Sequence, residues 1–116
     1  MLKHPPVVKE TDLPLLVDLY ELAMAQAYWS EGMNENGVFS LFFRTLPENR
    51  NFVLACGQQH VAHIIESLAF TDEHIKRLES LGRFQPRFLD WLREFRFSGS
   101  VHAIAEGPPV FPQEPL

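Results

Sequence analysis

Proline and glycine punctuate this chain so closely that no regular element can run far. Pro5 and Pro6 fall in the opening stretch, Gly32 and Gly82 stand where helices have to stop, and Gly57 and Pro86 stand where helices begin. The closing "GPPVFPQEPL" holds four prolines in ten residues. Proline lacks the amide hydrogen that a helix interior or a ladder uses, and glycine supplies the left-handed turn that ends a helix. What remains is a set of short helices and short strands. In a chain of 116 residues they have enough surface to share one core, so one compact unit is the starting expectation.

Between the breaks the pattern is readable. Residues 1–14 read as an amino-terminal arm, residues 15–105 as a helix-and-strand domain, and residues 106–116 as a junction leading onward. The first helix begins near Asp18, and Asp18 with Glu21 has the D-x-x-E spacing of a capping box. From there Leu19, Leu22, Ala23, Gln26, Ala27 and Trp29 recur at helical spacing. "GVFSLFFRTLP" alternates with both faces largely apolar, which predicts an inner strand ending near Arg44. The polar turn "LPENRN" then leads to "FVLAC", a second strand paired with the first. A helix follows over 58–68, with Val61, Ile64, Ile65 and Leu68 as its stripe. Thr71 caps the next one, with Asp72 and Glu73 in the first turn, where negative charge opposes the helix dipole. A last short helix runs from Pro86 through Phe88, Leu89, Trp91, Leu92 and Phe95, and "FRFSGSVHAIAEG" returns to strand-like alternation. The fold class is α+β.

A formal charge of -5 and basic residues interleaved with acids give no general attraction for nucleic acid or an anionic membrane. The single Cys56 cannot close an intrachain disulfide, and the amino terminus has no apolar run of signal-peptide length. A cytoplasmic soluble protein is the expectation. Ten phenylalanines are many for this length. They imply a core of bulky rings or a surface that another domain or subunit covers.

Few residues carry chemistry. Cys56, His60 and His63, with Glu66 continuing the row, can share a helix face but lack the spacing of a specific metal motif, and a Cys-His nucleophile is no better supported. Cys56 reads as the end of a buried strand, and no metal ligand or catalytic residue is assigned. No glycine-rich phosphate loop is present. Arg44, at a strand end among phenylalanines, either pairs with an acid or offers its guanidinium fork to phosphate or carboxylate. Asp18 reads as a cap, and Tyr20 as an aromatic at a boundary with one end wet.

The segments "LLVDLYELAMAQAYW", "FSLFFRTLP", "GRFQPRFLDWLREFRFSGSVHAIAEG" and "VFPQEPL" come in an order and spacing that resembles the amino-terminal region of nicotinate phosphoribosyltransferases. The resemblance runs from Leu15 to Leu116. It implies the amino-terminal α/β domain of a type II phosphoribosyltransferase without its irregular barrel. The implied activity of the full-length enzyme is formation of nicotinate mononucleotide and diphosphate from nicotinate and phosphoribosyl diphosphate, with coupled ATP hydrolysis and Mg2+, in a homodimer. By the same resemblance the D-x-Y motif falls on Asp18 and Tyr20. Tyr20 then stacks on the pyridine ring in the neighbouring subunit's site, Asp18 holds the loop geometry, and Arg44 contacts a substrate phosphate. No cofactor is expected on the 116 residues alone. A stand-alone interaction or regulatory domain that kept the fold is the other reading.

Overall fold

The computed structural model describes residues 8–116, which divide into two compact units in place of the single one expected. One comprises the described residues up to Glu35 together with Leu68–Arg96, and the other comprises Asn36–Ser67 with Phe97–Leu116. The first is helical. A 3-10 helix over Glu10–Leu15 occupies part of the expected arm, whose residues 1–7 lie outside the described part of the chain. Three α-helices follow within this unit: α1, Leu19–Ser30; α3, Asp72–Ser80; and α4, Pro86–Glu94. The other unit holds α2, Gln58–Ser67, and two short strands, β1 (Val53–Leu54) and β2 (Pro109–Val110).

Local chemistry sets the helix ends. Gly32 has φ +66°, and its amide donates to the Trp29 carbonyl while the Met33 amide donates to that of Tyr28. These two bonds form a Schellman close, which a β-carbon at the left-handed position would strain. At α3, Thr71 Oγ1 accepts from the His74 amide at 3.3 Å, and His74 Nδ1 accepts from the Thr71 amide at 3.2 Å. This is a reciprocal capping box with imidazole in the place usually held by glutamate. Pro86 opens α4, where its missing N–H costs nothing.

α4 packs against α1 and α3, and its Phe88, with no exposed surface, is the centre of the core. Leu22, Phe70, Ile75, Leu78, Leu89 and Leu92 are buried around it, with Leu15, Ala25, Trp29, Phe84 and Phe95 against their edges. Ring centroids of Trp29, Phe84 and Trp91 lie 5.8, 6.0 and 5.7 Å from that of Phe88, the range in which tilted and offset rings attract. The aromatic surplus is thus spent partly here.

The second unit departs from the sequence reading. β1 pairs antiparallel with β2, Val53 opposite Val110 and Leu54 opposite Pro109, and not with the segment before "LPENRN". The inner strand predicted around Phe39 to Arg44 is not a strand; the chain has no regular secondary structure there, and Val38 and Phe39 are 94% exposed. Among the described residues, two isolated backbone bonds reach it, from the Gln113 amide to the Phe43 carbonyl (2.8 Å) and from the Leu116 amide to that of Leu41 (3.0 Å). Proline explains the shortness of both pairings: Pro115 cannot donate between those two bonds, Pro112 cannot donate just before them, and Pro108 and Pro109 cannot lengthen β2. The alternation over 96–106 likewise forms no strand. Cys56 is exposed, not buried at a strand end.

Glu106 ties this unit together. Its Oε1 accepts from the amides of Gly57 and Gln59, each at 3.0 Å, and so caps the start of α2 from far along the chain. Gly57, at φ +98°, has no side chain with which to do this itself. The adjoining Gly107 amide donates to the Ala55 carbonyl, and the Ala55 amide donates to that of Pro108. A negative group at a helix start also meets the positive end of the helix dipole.

Candidate functional site

The start of α1 carries the candidate site. Asp18 occupies the N-cap position with extended backbone, φ -66° and ψ 141°, but its carboxylate makes no capping bond. The capping box predicted with Glu21 is therefore absent. The Glu21 carboxylate instead accepts from the Tyr20 hydroxyl; that bond, then the repulsion of its charge and a small loss of solvation, raises the phenol above its ordinary value. The exposed helix start lets water satisfy the orphan amides. Tyr20 is 58% exposed and, with its pKa raised, is a neutral hydrogen-bond donor throughout the neutral range.

The predicted stripe of α1 splits in two. Leu22 is buried, with Ala25 and Trp29 turned to the same core, while Leu19 and Ala23 join Tyr20 on another face. That second face lines a groove of about 290 Å³, closed on the other side by Arg83 and Phe84 from the loop between α3 and α4. The loop is pinned to α1, because Gln26 Oε1 accepts from the Gln85 amide at 2.6 Å and Gln85 Nε2 donates to Ser30 Oγ at 3.4 Å. Phe84 reaches past the groove to Phe88, so this wall continues into the core. The groove is thus lined by three apolar residues, one tyrosine and one arginine.

Asp18 and Tyr20 stand together in the helical unit, whereas Arg44 belongs to the other unit. Arg44 is exposed, and no acid among the described residues pairs with it, which leaves its fork open to an anion. Arg83 escaped the sequence reading. It looked like one more charge interleaved with acids, and nothing local to "LGRFQ" marks it as a neighbour of Tyr20. Among the described residues no group of three or more His, Cys, Asp or Glu could hold a metal ion. No helix among them is long and apolar enough to cross a membrane.

The family model described as the nicotinate phosphoribosyltransferase (NAPRTase) N-terminal domain matches residues 15–116. Nicotinate phosphoribosyltransferase pncB2 of Mycobacterium tuberculosis is 45% identical over 101 residues, covering 87% of this chain and 22% of that protein. Nicotinate phosphoribosyltransferase 2 of Arabidopsis thaliana is 40% identical over 106 residues, covering 89% of this chain and 19% of its own. Nicotinate phosphoribosyltransferase of Bacillus subtilis is 34% identical over 109 residues, covering 93% and 22%. The class is that of an amino-terminal α+β domain, mostly helical with a two-stranded sheet. The chain belongs to the nicotinate phosphoribosyltransferase N-terminal domain family. It spans about a fifth of the length of the curated relatives it matches.

Proposed function

We propose that the full-length protein bearing this domain is a type II phosphoribosyltransferase that forms nicotinate mononucleotide and diphosphate from nicotinate and phosphoribosyl diphosphate, coupled to ATP hydrolysis, in NAD synthesis. The observation that carries this is the family match from residue 15 to residue 116. It works as a cytoplasmic homodimer whose barrel holds phosphoribosyl diphosphate. Mg2+ and ATP serve the full-length enzyme. Transfer develops positive charge on the ribose as diphosphate departs, which calls for several cationic groups around the phosphates. The contribution of this domain is to the substrate: Tyr20 stacks on the pyridine ring in the neighbouring subunit's site, Asp18 keeps the start of α1 in position, and Arg44 contacts a phosphate.

The exposure of Tyr20 at a groove, and the absence of a capping bond from Asp18, support those roles. The test is to supply the full-length protein with nicotinate, phosphoribosyl diphosphate, ATP and Mg2+ and to follow nicotinate mononucleotide. Product dependent on nicotinate is expected. A folded full-length protein that yields none overturns the reading, and turnover of nicotinamide alone moves it to a different substrate.

A further inference from the structure

We infer that Arg83 is a specificity residue of the Tyr20 groove, supplying the cation that favours a negatively charged pyridine carboxylate over a neutral carboxamide. The inference rests on the proposed function for the identity of the ring. The rest comes from the groove itself. Leu19, Ala23 and Phe84 make its walls apolar, and Tyr20 and Arg83 are its two polar residues. An apolar slot with a tyrosine and an arginine among its lining residues fits a planar aromatic acid: the ring is covered by apolar surface, and the carboxylate needs a fork to replace its water.

Charge gives that acid a direction. The charge of Glu21, which raises the Tyr20 phenol, disfavours a second anion at that end. Arg83 is exposed and makes no hydrogen bond or ion pair among the described residues, so no internal acid competes for its donors. Arg93, by contrast, is committed to Asp72 and Asp90 at 3.0 and 2.9 Å. The tie from Gln26 to the Gln85 amide holds the loop against α1, so Arg83 moves with Tyr20 wherever that helix is presented, a partner subunit's site included.

The experiment compares the full-length wild type with Arg83→Gln and Arg83→Lys, measuring KM and kcat separately for nicotinate and for nicotinamide. Loss of a charge-assisted bond to a carboxylate is expected to raise the nicotinate KM about tenfold in Arg83→Gln. Nicotinamide kinetics, kcat for nicotinate and Tm are expected to stay near wild type, and Arg83→Lys to recover part of the KM. A nicotinate KM within about twofold of wild type, or an equal loss for both substrates, overturns the role of Arg83 while leaving the proposed function standing. A wild type that makes mononucleotide from neither substrate overturns both.

Discussion

Asp18 shows how one residue can satisfy a sequence rule by its backbone and break it by its side chain. It stands where an N-cap belongs, yet its carboxylate makes no cap bond, so replacing it should cost the helix little. Asp18→Asn is expected to change stability by less than about 0.5 kcal/mol and still to lower turnover of the full-length enzyme. Thermal melting beside steady-state kinetics separates the two; activity lost only in step with stability would return Asp18 to a purely structural role. At Tyr20, Phe should be milder than Ala, because a phenyl face still stacks on a flat ring. The expected rise in nicotinate KM for Tyr20→Ala is about fivefold. The phenol offers a pH test as well. A folded-state pKa raised by Glu21 favours the protonated form, so any stability it confers is present below the unfolded value and lost as pH rises through the folded one. In Glu21→Gln, an ultraviolet titration should show Tyr20 ionising at lower pH than in wild type; an unchanged titration would remove Glu21 as the cause.

Among the elements, α2 and α4 depend on quite different things. α2 buries no residue fully and takes its start from Glu106, a residue in the segment that follows the helical unit. Glu106→Ala is expected to free the Gly57 and Gln59 amides, read as faster hydrogen exchange there and at the start of α2, with α3 and α4 unaffected. Protection that persists at both amides would show that the carboxylate is not the cap. α4 rests on packing. Removal of the ring in Phe88→Ala leaves a hole touching Trp29, Phe84 and Trp91 and should cost about 3–5 kcal/mol, measured by denaturant unfolding. A loss below about 1 kcal/mol would mean that the core closes over the gap.

At the scale of the whole molecule, the apolar residues left outside the core include a run where the strand prediction failed. Val38, Phe39, Leu41 and Phe42 are exposed along an irregular segment with few backbone partners. Rings and amides in that state favour association. The 116-residue chain is therefore expected to self-associate with rising concentration in light scattering, and Phe39→Ser to weaken the effect; a monomer at high concentration would count against an interface there. The same chain alone should show no turnover and no micromolar nicotinate binding by calorimetry, since one ring and one arginine on an open groove are too few contacts to offset the cost of association.

The features that the sequence determined are those with local causes. Thr71 and Pro86 start helices, Gly32 closes one, and Phe88, Leu89 and Leu92 keep helical spacing on a buried face, because capping, turn geometry and period act within a few residues. Only part of the candidate site was legible in the same way: Tyr20 and Asp18 lie in a readable motif, and Arg44 at the end of an aromatic run. Tertiary structure decided what depends on a distant partner. Alternation in "GVFSLFFRTLP" marks residues able to form a strand, but a strand needs a neighbour with free amides, and the neighbour supplied is broken by proline. Glu106 reads as the first residue of the junction until the start of α2 is beside it, and Arg83 as a surface charge until the Gln26 tie lays its loop along α1. Hydrogen bonds and charges act over a few ångströms of space whatever the separation along the chain, so no local pattern in this sequence could announce those partners.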